Sequence, residues 1–88
     1  MAIAYVYDAL AKTASGRLMH FNVVIDQPCQ STAIACGLAW LNGLGHEQAV
    51  LAAENCFFCH SLEVVSAGMR HQMNAQGYAI YPMEGCPR

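Results

Sequence analysis

Two alternating runs at the start of the chain constrain the fold more than any other feature. In the first, Ala2 to Leu10, the residues Ile3, Tyr5 and Tyr7 alternate with Ala4, Val6 and Asp8. In the second, Arg17 to Ile25, the residues Met19, Phe21, Val23 and Ile25 alternate with Leu18, His20, Asn22 and Val24. A period of two marks a strand with two distinct faces. Lys12 to Gly16 lies between the runs and carries turn chemistry, with Gly16 free to take positive φ. The two runs therefore predict a β-hairpin, and the fold must contain the sheet to which it belongs.

The remainder reads as helix, strand, helix, strand. Asp26-Gln27-Pro28 opens a helix, with Pro28 in the first turn where its missing N–H costs little. Ile34, Leu38, Leu41 and Leu44 recur at helical spacing, and Asn42 to Gly45 supplies a glycine-rich end. Ala49 to Ala53 is a short apolar strand candidate, followed by a turn at Cys56–His60. Ser61 caps a second helix whose buried stripe is Leu62, Val65, Met69 and Met73, and Gly77 stops it. Tyr78 to Met83 is a last strand, which Pro82 either places at an edge or brings to its end. The expected fold is α+β in the order ββαβαβ, a small, mostly antiparallel sheet with two helices packed on one face. With the helices over the Phe21 face, His20 and Asn22 lie on the open face, joined by Tyr5 and Tyr7. Such a tyrosine row either packs cross-strand pairs or offers a dimer or ligand surface.

At 88 residues the chain is expected to form one domain, residues 1–88. Charged residues make up only 11% against 56% hydrophobic, too few charges to cover the outside. Exposed apolar surface in a monomer predicts a homo-oligomer. The four cations, Lys12, Arg17, Arg70 and Arg88, are scattered, which argues against a nucleic-acid partner and against an anionic membrane surface. The opening MAIAYVYDAL lacks a cationic leader pattern, and the apolar run Ala33 to Leu41 is short of the roughly 20 residues of a membrane span. A cytoplasmic location is expected, and with it cysteines kept as thiols, metal ligands or transient redox groups.

The chemistry of the chain concentrates in ENCFFCHSLE, residues 54–63, which holds Cys56-Phe57-Phe58-Cys59-His60. Four readings fit this motif. Free cysteine is among the most buried residue types, so the default is two small hydrophobes in a turn. A turn can instead aim both sulfurs at one zinc ion, with Cys86 as third ligand and His60 as fourth, or His20 in its place. A helix beginning just after the pair would stabilise a thiolate for redox chemistry. Finally, the motif is the attachment signal for c-type haem, which is fitted outside the cytoplasm. Cys29 and Cys36, seven apart on the first helix, read as core. His46 and His71 read as surface, and no glycine-rich phosphate loop is present.

YDALAKTASGRLMHFNVV, CFFCHSLE and GYAIYPMEGC together resemble the small bacterial proteins of domain-of-unknown-function family two thousand and twenty-four. The resemblance spans essentially the whole chain. It implies a compact α+β domain and groups the Cys56–His60 turn with Cys86 and His20. The expected function is a non-enzymatic binding or structural module whose Cys/His cluster, Cys56, Cys59, His60 and Cys86, with His20 as the alternative fourth ligand, is a candidate metal site, zinc being the ion considered. The rival is a thiol-based redox protein or sensor using the Cys56–Cys59 pair.

Overall fold

A computed structural model of the chain describes residues 3–83. The hairpin forms as expected from β1 (Ala4–Lys12) and β2 (Leu18–Ile25), in a register that sets Tyr7 opposite Val23 and Ala9 opposite Phe21. Its turn is closed by Gly16, at φ +86°, whose N–H donates to the Thr13 carbonyl at 2.9 Å. Thr13 Oγ1 accepts the Arg17 N–H at 3.1 Å, so the buried hydroxyl is satisfied.

α1 (Gln30–Gly43) follows, then a 3₁₀ turn (Ala53–Asn55), β3 (Cys56–Leu62), α2 (Ala67–Gln76) and β4 (Ala79–Pro82). The sheet is antiparallel throughout, in the order β3-β1-β2-β4. The class is α+β and the order ββαβαβ, as the sequence indicates. β4 is an edge strand, one of the two readings of Pro82. Among the described residues no helix is long and apolar enough to cross a membrane.

Three local expectations are corrected. The third strand is not Ala49 to Ala53: there only Val50 bridges, exchanging backbone hydrogen bonds with Lys12 at 2.8 and 2.9 Å. Alanine has weak β preference, whereas Cys56 to Leu62 contains no glycine, proline or Asx residue to make a turn and carries two β-favouring phenylalanines. The Cys-x-x-Cys-His motif is therefore a strand and not a turn. Ser61 consequently pairs with Tyr5 in the sheet, and the helix cap passes to Ser66, whose Oγ accepts the Met69 N–H at 3.3 Å. Gly77, at φ +87°, ends α2 as expected.

The third correction concerns layers. α1 covers the odd-numbered face of the hairpin, burying Tyr7, Ala9, Ala11, Met19, Phe21, Val23 and Ile25 together with Ile80 of β4. Its contact ridge is Ala33, Gly37 and Leu41, spaced one turn apart, and Trp40 meets the Phe21 ring at 4.8 Å. Complete burial of Phe21 alone contributes roughly 1.5–3 kcal/mol. α2 packs on the opposite face, where Met73 closes a smaller cluster with Ala4, Val6, Val24 and Ala79. The helices thus flank the sheet instead of sharing a side. Tyr5 and Tyr7 also belong to the α1 side, because Tyr5 pairs with Ile25 and Tyr7 with Val23. α2 is short and covers one end of its face. Among the described residues, the part of that face beyond α2 carries Asp8, Leu10 and His20, with Asn22 and Tyr81 at its border.

Candidate functional site

β3 is the second edge of the sheet, and its register is broken once. Tyr7 pairs with Phe58 and Val6 with His60, so Cys59 is the extra residue of a bulge. In a regular strand, neighbours 59 and 60 would point to opposite faces. The bulge re-aims Cys59, and the His60 Nδ1 comes to lie 3.2 Å from the Cys59 Sγ. Both side chains are exposed. Before the bulge, Phe57 and Phe58 are 54% and 51% exposed. Phe58 still rests edge-on against Tyr7 at 5.8 Å and near Tyr5 at 6.4 Å. The whole strand, CFFCHSL, carries no formal charge and no proline or lysine.

The other proposed ligands lie elsewhere. Cys56 pairs with Ala9, is fully buried on the α1 side, and its thiol is raised by burial and then by the Asp8 charge. His60 pairs with Val6 and so faces the α2 side. Cys56 and His60 are therefore on opposite faces of one strand. His20 lies two strands across and four residues along from His60, roughly 16 Å away by strand geometry. It is hydrogen-bonded through Nε2 to Asp8 at 2.5 Å. Cys86 lies outside the described residues. Among the described residues no three His, Cys, Asp or Glu side chains converge as a metal would require.

The same extended path separates the cysteine pair. Three residues along a bulged strand set the Cα atoms of Cys56 and Cys59 roughly 8–10 Å apart. A disulfide needs about 7 Å or less. Haem attachment through both sulfurs with His60 as axial ligand would need all three on one side, which the strand does not provide.

Two features escaped the sequence reading. Cys29 is not core: it is the N-cap residue of α1, and its Sγ lies 3.2 Å from the Ser31 hydroxyl. Hydrogen bonds from the Ser31 and Thr32 side chains, then from the Thr32 backbone, lower its thiol to about 7. Its signal in the sequence was its place just after Pro28, at the mouth of the helix. The second feature is a cleft of about 200 Å³ between α2 and the sheet, lined by Val6, Asn22, Val24, His60, Met69 and Tyr81. It needed both the layer assignment and the strand register, neither of which is local. A larger, polar hollow of about 340 Å³ lies between the hairpin turn and the loop after α1, around Thr13, Ser15, His46 and Glu47.

A family sequence model described as Domain of unknown function (DUF2024) matches residues 1–83. The NMR structure of protein NE1680 from Nitrosomonas europaea is 38% identical, covering 97% of this chain and 99% of that one, with a TM-score of 0.82. No functionally curated protein matches the chain.

Proposed function

We propose that this chain, which belongs to the DUF2024 family, is a non-enzymatic binding and structural module that works as a homo-oligomer through its β3 edge. The observation that carries this reading is the edge itself. An unpaired strand presents a row of backbone donors and acceptors that templates another chain. Natural sheets blunt such edges with lysine, proline or inward charge, or make the edge strand very short. β3 has seven residues, none of them charged, and two half-exposed phenylalanines. At the other edge, β4 has four residues and ends in Pro82. Among the described residues, the long uncharged edge is the one that bears Phe57 and Phe58, and only its first carbonyl, that of Cys56, accepts a side-chain hydrogen bond, from Gln30 Nε2 at 2.7 Å.

A second copy is the natural occupant. An antiparallel edge is self-complementary, and an uncharged strand meets its copy without opposing like charges. The scarcity of charge in the whole chain points the same way. Sedimentation velocity over a wide concentration range tests the reading. The wild type is expected to gain mass with concentration, and Phe57→Lys is expected to remain a monomer while keeping its fold by circular dichroism. A wild type that stays monomeric at millimolar concentration, with and without divalent metal, overturns it.

A further inference from the structure

We propose that Cys59 and His60 form half of a transition-metal site, which the same two residues of a second copy complete across the β3 edge. The inference rests on the self-association reading above and adds a ligand to it.

The first argument is the bite of the pair. In a tetrahedral zinc centre, with Zn–S of about 2.3 Å and Zn–N of about 2.0–2.1 Å, the sulfur–nitrogen edge is about 3.5 Å. The Cys59 Sγ and His60 Nδ1 stand 3.2 Å apart. Sequence neighbours on a strand do not meet in this way without the bulge, which β3 carries at Cys59. Both groups are exposed and so open to an ion.

The second argument is completeness. Two donors per chain leave a tetrahedral ion half coordinated, and a twofold axis doubles the set to two thiolates and two imidazoles. With the axis at Cys59, each Cys59 lies opposite its copy. Directly opposed side chains in an antiparallel pair have Cβ atoms about 4.5–5.5 Å apart. Two thiolates on one tetrahedral ion sit about 3.8 Å apart, within reach of that spacing. Thiolate and imidazole together favour zinc or cobalt over magnesium or calcium. On binding, each thiol releases its proton and each imidazole coordinates in its neutral form.

The third argument is size. Each half-exposed phenylalanine offers about 100 Å² of surface. The two together offer about 200 Å² per copy, and a single seven-residue edge strand stays below the roughly 1,200 Å² total of a stable interface. Protein contacts alone give a weak pair, and the shared ion turns it into a firm one.

The test uses the full chain, stripped with a chelator and then titrated with zinc chloride or cobalt chloride. Mass is followed by sedimentation, and cobalt by its visible spectrum. Expected are one ion per two chains, a metal-induced dimer, and the intense visible bands of tetrahedral cobalt with thiolate ligands. Cys59→Ser and His60→Ala, both at exposed positions, lose the bands and the metal-induced dimer, while Cys36→Ser keeps both. Binding of one ion per chain, or bands unchanged in Cys59→Ser, overturns the shared site. Dimers that form equally with chelator and in Cys59→Ser also overturn it, yet leave the self-association reading standing. Monomers under every condition overturn both.

Discussion

Gly37→Ala sets two opposed effects of known size against each other. In an ordinary helix interior the change stabilises by about 1 kcal/mol, because alanine loses less backbone freedom than glycine. Gly37 is not ordinary: it is the centre of the ridge that seats α1 on the sheet. A Cβ there would stand 3.0 Å from Leu51 Cδ2, 3.2 Å from Phe21 Cε2 and 3.4 Å from Phe21 Cζ. The Leu51 methyl ends a flexible side chain and can turn aside. The Phe21 ring is fully buried and held at 4.8 Å by Trp40, so it has nowhere to go. Overpacking a filled core costs typically about 1–3 kcal/mol. The cost exceeds the gain, and the expected net loss is about 1 kcal/mol. For a domain of this size that lowers the thermal midpoint by roughly 4–8 °C. Gly68→Ala is the control, since nothing lies within 4 Å of its added Cβ. It should hold or raise stability, by up to about 1 kcal/mol. Calorimetry of the two variants decides the matter. Equal stabilisation by both would mean that α1 does not rest on Phe21.

Three further outcomes follow from two single residues, Cys29 and Gly77. Alkylation of the native chain should label Cys29 with a midpoint near its thiol value of about 7, while Cys56, fully buried and raised, reacts only on unfolding; a Cys29 midpoint near 9 refutes the hydrogen-bonded thiolate. Because the folded thiol is the more acidic, its contribution to stability is complete above the ordinary 9.0 and is lost as pH falls through about 7, an effect that Cys29→Ser removes. Gly77→Ala places an L-residue at φ +87° and should cost about 1 kcal/mol, read as an earlier urea midpoint; an unchanged midpoint would mean that α2 ends elsewhere.

The legible parts of this protein are those whose signals are local. Alternation over Ala4 to Ile25 specifies a hairpin, because each strand reports its own two faces and the turn between them has its own chemistry. Helical spacing with a glycine-rich end locates α1, and Gly77 and Pro82 mark where α2 and β4 stop. β3 was hidden because an edge strand buries little: after Cys56 its residues are exposed or only half-buried, so no alternation of apolar and polar residues marks it. Its pairing with β1 joins residues some fifty positions apart, and only the closed sheet selects it.

The bulge at Cys59 and the split of the helices onto two faces have the same origin. A strand's side-chain pattern states that it has two faces, but not which helix covers each one. That choice is made by the path of the chain around the sheet: α1 leaves β2 over the Phe21 face, and α2, after β3 at the far edge, returns to β4 over the Val24 face. The residues alone thus determined the hairpin, α1, the ends of α2 and β4, and the order in which strands and helices alternate, but not the position of β3. Tertiary packing decided that Cys56 is buried while Cys59 and His60 stand together at an open edge, because one extra residue in a ladder shifts every side chain that follows it.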